Sequence, residues 1–204
     1  MATQSDKKPT VFIVDDDAAI RFAMQALMDS VNLNHEIFES GDEFLDKITE
    51  QRPGCLVLDI RMPGLGGLEL QEELIKRGNT LPIIFITGHG DVPMAVEAMQ
   101  KGAVDFIQKP FRDQELLDRI REALATDEER REEQQQHAEV NQRLDRLTNR
   151  EREVFDLVVT GKPNKVIAYE LGVSQRTVEI HRARVMEKMQ ARSLADLVKM
   201  HMTA

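Results

Sequence analysis

Cys55-Leu56-Val57-Leu58-Asp59 decides the reading of this chain: four apolar residues in a row end on an acid. The pattern recurs on both sides of it. Val11-Phe12-Ile13-Val14 runs into Asp15-Asp16-Asp17, and Pro82-Ile83-Ile84-Phe85-Ile86 ends at Thr87. Ala103-Val104-Asp105-Phe106-Ile107 leads, one residue later, to Lys109-Pro110. Strands of a parallel sheet covered on both faces read as short continuous apolar runs. A further strand is expected at Glu36-Ile37-Phe38. Between the runs, apolar residues recur at spacings of three and four in 18–31, 65–77 and around Leu116, Leu117, Ile120 and Leu124, which predicts amphipathic helices. Ser40 is placed to cap another helix, and Pro93 suits the first turn of the one that follows Asp91. Five β-α units in succession predict a doubly wound α/β domain with five parallel strands. In such a sheet the carboxyl ends of the strands share one edge, where ligands bind. Three acids, a hydroxyl and an ammonium are therefore expected at one small site.

Charge is uneven along the 204 residues. Residues 1–124 carry 13 Lys and Arg against 22 Asp and Glu, whereas residues 148–204 carry 10 against 7. An acidic part followed by a basic one predicts two domains, the second being the candidate for a polyanionic partner. The only cysteine, Cys55, lies inside an apolar run and reads as a small core residue. No apolar stretch approaches the roughly 18 residues of a membrane span. The polar start, Met1 to Pro9, has no hydrophobic signal core. A cytoplasmic protein without a membrane partner is expected. Between the domains, 126–143 is a charged tract that favours helix but has no face to bury, and it reads as a solvated helical linker. Val140, Leu144 and Leu147 return to helical spacing near its end.

The C-terminal part, 144–202, reads as a small all-α domain. Thr148-Asn149-Arg150-Glu151 has the spacing of a capping box. A short helix from Asn164, the turn Gly172-Val173-Ser174 and a longer helix from Gln175 to Met189 make a helix-turn-helix pattern. At 100° per residue, Val185 and Met189 lie within about 20° of Val178, and the three face a core. Arg176, Ile180 and Ala183 fall on the opposite side, flanked by Glu179 and Arg184. That side of a second helix enters the DNA major groove. Lys165, Arg176, Arg184 and Lys188 are candidates for phosphate contacts, with Thr177 beside them. Glu179 is placed to accept from a cytosine amino group, and Ile180 and Ala183 to touch thymine methyls. A solvated helical hairpin would leave Ile180 exposed without a reason.

A cluster of acids at the end of a buried strand needs a cation, and Mg²⁺, an oxygen-ligand metal that accepts one or two carboxylates, suits it. Asp59 is then the candidate to attack a phosphoryl group and form an aspartyl phosphate. Taken singly, the residues have plainer readings: Asp17 as a helix cap, Lys109 as a solvated lysine, Phe106 as core, His89 as an exposed loop histidine. A phosphatase of the haloacid-dehalogenase type also uses an aspartate after a strand, but it needs a second aspartate two residues on. Arg61 stands there and cannot protonate a leaving group.

Residues 10–125 resemble a two-component receiver domain. The carrying pieces are Val14-Asp15-Asp16-Asp17, Leu58 through Gly64, Thr87 through Gly90 and Phe106 through Pro110. Residues 144–202 resemble the LuxR-type DNA-binding domain, on Leu147 through Val154, Gly161, Asn164-Lys165, Ile167-Ala168, Leu171-Gly172 and Ser174 through Met189. The whole chain is similar to the FixJ group of response regulators, a match narrowed by Gly88 through Met99. The resemblance implies a flavodoxin-like sheet ordered 2-1-3-4-5 and phosphorylation at Asp59 by a sensor histidine kinase. Asp15 and Asp16 would complete the acid pocket, with Asp16, Asp59 and the Arg61 carbonyl on Mg²⁺ or Mn²⁺. Thr87 and Lys109 would sense the phosphate, Phe106 would be an aromatic switch, and the Lys109–Pro110 bond would be cis. Val96 and Gln100 match positions that pair two receivers, so a homodimer is expected on phosphorylation, with double-stranded DNA and RNA polymerase as partners. The implied protein is a phosphorylation-controlled transcription factor rather than a turnover enzyme. The rival reading is a constitutive DNA binder whose receiver serves only to dimerise.

Overall fold

The computed structural model describes residues 8–203 apart from 49 and 89–91. His89, Gly90 and Asp91 therefore lie outside the described residues. The chain divides into two compact units, 1–130 and 131–204.

In the first unit, β1 (Thr10–Val14), β2 (His35–Phe38), β3 (Gly54–Asp59), β4 (Ile83–Thr87) and β5 (Asp105–Gln108) alternate with α1 (Ala18–Ser30), α2 (Gly41–Lys47), α3 (Gly67–Lys76) and α4 (Val92–Gln100). All neighbouring strands are parallel, in the order β2-β1-β3-β4-β5. Alternation along each strand sends side chains to two separate cores. Phe12, Val14, Leu56, Leu58 and Phe85 pack with Phe44, Leu45, Leu70, Leu74, Ala95 and Ala98 from α2, α3 and α4. Val11, Ile13, Val57, Ile84 and Ile86 pack with Met24 and Met28 of α1 and with Leu116, Ile120 and Ala123. Burying each large apolar side chain is worth about 1.5–3 kcal/mol, so both faces of the sheet are held. Cys55 is buried in the second core, and burial pushes its thiol up to about 12, so it is inert there.

Side-chain caps set two helix starts. The Asp17 carboxylate accepts from the Ala19 N–H at 2.8 Å, and the Ser40 hydroxyl accepts from the Glu43 N–H at 3.2 Å. The tract 126–143 is not a separate segment. It continues α5 (Asp113–Leu144), a single helix in which the division between the two units falls. No glycine or proline interrupts these residues, and most are strong helix formers.

The second unit contains the end of α5 with α6 (Asn149–Val159), α7 (Asn164–Leu171), α8 (Gln175–Met189) and α9 (Leu194–Thr203). Its core joins Val140 and Leu144 to Val154, Phe155, Ile167, Val178, Val185, Met189 and Leu197. The Thr148–Glu151 capping box is complete. Gly172, at φ +66°, ends α7 in the left-handed conformation, and Ser174 then caps α8.

Candidate functional site

Because the five strands are parallel, their last residues meet at one edge. Asp15 follows β1 in the middle of the sheet and Asp59 ends the adjacent β3. Thr87 ends β4, and Lys109 follows β5. The Lys109 N–H donates to the Thr87 carbonyl at 2.7 Å, which continues the β4–β5 pairing past the sheet. The Lys109–Pro110 peptide is cis.

Lys109 reaches across β4 to both acids. Its ammonium lies 2.6 Å from Asp59 Oδ1 and 2.9 Å from Asp15 Oδ2. The remaining oxygens are also engaged: Asp59 Oδ2 accepts from the Arg61 N–H, and Asp15 Oδ1 from the Asp17 N–H. Asp59 is only 7 % exposed. Burial, opposed by the hydrogen bond and charge of Lys109, leaves its carboxyl above the usual carboxylate range. Burial also works against the Lys109 charge, but hydrogen bonds to Asp59 and Asp15 outweigh it and raise that pKa. The two buried carboxylates thus share a single ammonium.

Asp16 differs from Asp15 in its surroundings. The Asp16 side chain is exposed and lines an adjacent shallow cleft of about 500 Å³ with Arg61, Met62, Glu69 and Met94. Among the described residues no three potential ligands are grouped to hold a metal. The donors suit Mg²⁺: hard carboxylate oxygens, two acids against one ammonium, and an open cleft for the waters that this ion keeps.

Thr87 is buried, and its hydroxyl donates to the Gly88 carbonyl at 3.0 Å rather than to either acid. Phe106, on the edge strand, is 39 % exposed. Val96 and Gln100 are exposed on α4, close in sequence to the exposed Met99.

On α8, Val178, Val185 and Met189 are fully buried, while Arg176, Glu179, Ala183 and Arg184 are exposed and Ile180 is 43 % exposed. Lys165 is exposed at the start of α7. Arg176 and Glu179 pair with each other at 3.5 Å, and the Thr177 hydroxyl lies 2.8 Å from that of Ser174 in the cap. Lys188 is differently placed from the phosphate contact expected of it. Its ammonium sits 2.5 Å from Glu151 Oε2 and 3.0 Å from the Arg146 carbonyl, tying α8 to the α6 cap. The sequence did not mark this pair, nor the hydrogen bond from Arg182 to Asn164 that joins α8 to α7 at 3.0 Å. Spacing within one helix cannot reveal a partner on another.

Comparison with known proteins agrees with both halves. Residues 11–121 match the response regulator receiver domain, and residues 145–201 match the luxR family of bacterial regulatory proteins. Nodulation protein W of Bradyrhizobium diazoefficiens is 49 % identical over 201 residues, covering 98 % of this chain and 88 % of that protein. The transcriptional regulatory protein FixJ of Azorhizobium caulinodans is 45 % identical over 194 residues, covering 95 % of this chain and 92 % of that one. The structure of the response regulator StyR superposes with a TM-score of 0.88 at 44 % identity, over 97 % of this chain and all of StyR. A receiver fold with an acid pocket at its sheet edge, followed by a helix-turn-helix with an exposed basic face, places this chain in the response regulator family as a phosphorylation-dependent transcription regulator.

Proposed function

We propose that Asp59 is the phosphoacceptor and that its phosphorylation by a sensor histidine kinase raises the affinity of α8 for DNA. The observation that carries this reading is the sharing of one Lys109 ammonium by the two buried carboxylates, at the end of the central strands. A carboxylate oxygen of Asp59 attacks phosphorus, the bond to the donor nitrogen breaks, and the phosphoryl group becomes an aspartyl phosphate. Lys109 stands where it can pair with the new phosphoryl oxygens. The Thr87 hydroxyl would exchange its Gly88 carbonyl acceptor for a phosphoryl oxygen, and Phe106 would answer by moving inward. Mg²⁺ or Mn²⁺, held by Asp16, Asp59 and the Arg61 carbonyl, would supply positive charge against the transferred group.

The exposed Val96 and Gln100 of α4 are then on the surface through which two phosphorylated receivers pair. Lys165, Arg176 and Arg184 meet phosphates, while Thr177, Glu179, Ile180 and Ala183 read base edges. RNA polymerase is the further partner, and the cytoplasm the compartment. No described helix is long and apolar enough to cross a membrane.

Footprinting on a duplex selected from a random pool, with and without acetyl phosphate and Mg²⁺, tests the reading. Protection should require less protein once the donor is added. Equal protection in both arms would favour the constitutive binder. In the same assay Arg176→Ala and Arg184→Ala should each weaken binding about three- to tenfold near physiological salt. Each should also lower the slope of log K against log salt by about 0.9. An unchanged slope would remove that arginine from the phosphate contacts.

A further inference from the structure

Helix α5 presents a buried stripe to the sheet: Leu116, Ile120, Ala123 and then Asp127, at spacings of four, three and four. The stripe changes character at its last step. Asp127 is a carboxylate only 2 % exposed in a tract whose neighbours Glu128 and Glu129 are solvated. Its Oδ2 accepts from the Gly54 N–H at 2.9 Å. Its Oδ1 pairs with the guanidinium of Arg130, one turn on, which also donates to the Thr80 carbonyl. Gly54 opens β3, and Thr80 lies three residues before β4. A side chain at Gly54 would meet the Thr10 carbonyl oxygen at 1.9 Å, so the strand start is seated tightly against β1.

The two strands held in this way are the two that carry Asp59 and Thr87 at their other ends. We propose that Asp127 and Arg130 form an output latch. They fasten the last receiver turn of α5 to the starts of β3 and β4, so that the state of Asp59 can alter DNA binding by the second unit. The inference rests on the phosphorylation-dependent DNA binding proposed above. The chemistry of the latch favours a coupling role over a purely stabilising one. An apolar residue would continue the stripe, and replacing a buried ion pair by apolar packing is often neutral or stabilising. Charged groups instead regain hydration when they are released, so a polar latch opens at lower cost than an apolar plug. Such a tie can be close to balanced between two states, which a device biased by a distant site requires. The latch lies at the end of the first unit, one residue before the second begins.

The test uses the full chain and two variants, Asp127→Ala with Arg130→Met, and Asp127→Asn alone. Asparagine keeps an acceptor for the Gly54 N–H but removes the ion pair. Three quantities are read: labelling of Asp59 by acetyl phosphate with Mg²⁺, the ratio of duplex affinities with and without the donor, and amide exchange across residues 120–135. The double variant should label like the wild type and exchange faster near residue 127, and its affinity ratio should fall about tenfold, toward one. Asp127→Asn should fall between. A full ratio with normal labelling in both variants would overturn the latch. So would loss of the folded receiver in both, since the tie would then serve stability alone. If the wild type itself labels but shows no donor-dependent change in affinity, the functional reading fails and the latch fails with it. If the wild type responds and both variants respond equally, only the latch is lost.

Discussion

Asp59→Asn should take up no label from acetyl phosphate in the presence of Mg²⁺ and should give the same DNA affinity with and without the donor. Asparagine matches the aspartate in shape. Its amide oxygen can still accept from Lys109, whose ammonium lies 2.6 Å from Asp59 Oδ1 in the wild type. What disappears is the nucleophile, because an amide oxygen does not form a stable phosphoryl bond. The substitution should therefore remove chemistry without removing the fold. It should even stabilise the receiver at neutral pH. Burial holds the Asp59 carboxyl above its ordinary range, so the folded state disfavours the charged form. A folded pKa above the unfolded one lowers stability once pH exceeds the folded value, and the loss fades as pH falls toward the unfolded value near 3.8. The advantage of the asparagine variant should accordingly be largest at pH 7 and shrink as the solution is acidified, as urea unfolding at several pH values would record. Label persisting in the variant would move the acceptor to another acid and end the assignment.

Lys188→Met should destabilise the second unit by about 2–3 kcal/mol, the cost of leaving one partner of a buried pair alone. Glu151 is only 3 % exposed in its side chain, against 33 % for Lys188. Its carboxyl is lowered to about 2, first by the hydrogen bond from Lys188 and then by the Thr148 N–H. A depressed folded pKa gives stability that is complete above about 4.5 and lost as pH falls toward about 2. Glu151→Gln should therefore cost on the order of 2 kcal/mol at pH 7, after a discount for the partly exposed lysine. The gap to wild type should close between pH 4.5 and 2. Amide exchange in α6 and α8 isolates this effect from the receiver. If Lys188 served DNA instead, the methionine variant would keep its stability and lose about 0.9 from the salt slope.

Much of the molecule was legible beforehand because it depends on local periodicity. Val57 and Leu58 face opposite cores because strand side chains alternate, and Val178, Val185 and Met189 share a face because a helix turns through 100° per residue. Strands that are parallel must also end at one edge, which brought Asp15, Asp59, Thr87 and Lys109 together. The placement of the third acid was not legible: Asp16 follows the strand in a bend, where it is exposed and lines the adjacent cleft. The partners of Lys188 and Asp127 were not legible for a related reason. Each sits in a charged sequence, and charge in sequence is normally solvated, yet each is claimed by a partner far along the chain.

The sequence by itself determined which segments are strands and helices, the succession of the two kinds of unit, and the residue types available at the sheet edge and on α8. These follow from patterns a few residues long. Only the tertiary structure decided how each ionic group is used: Lys109 between two carboxylates, Lys188 against Glu151, and Asp127 on Gly54. A charge is settled by what surrounds it once water has been excluded. Those surroundings come from residues 37 to 94 positions away, a distance over which no local pattern carries information.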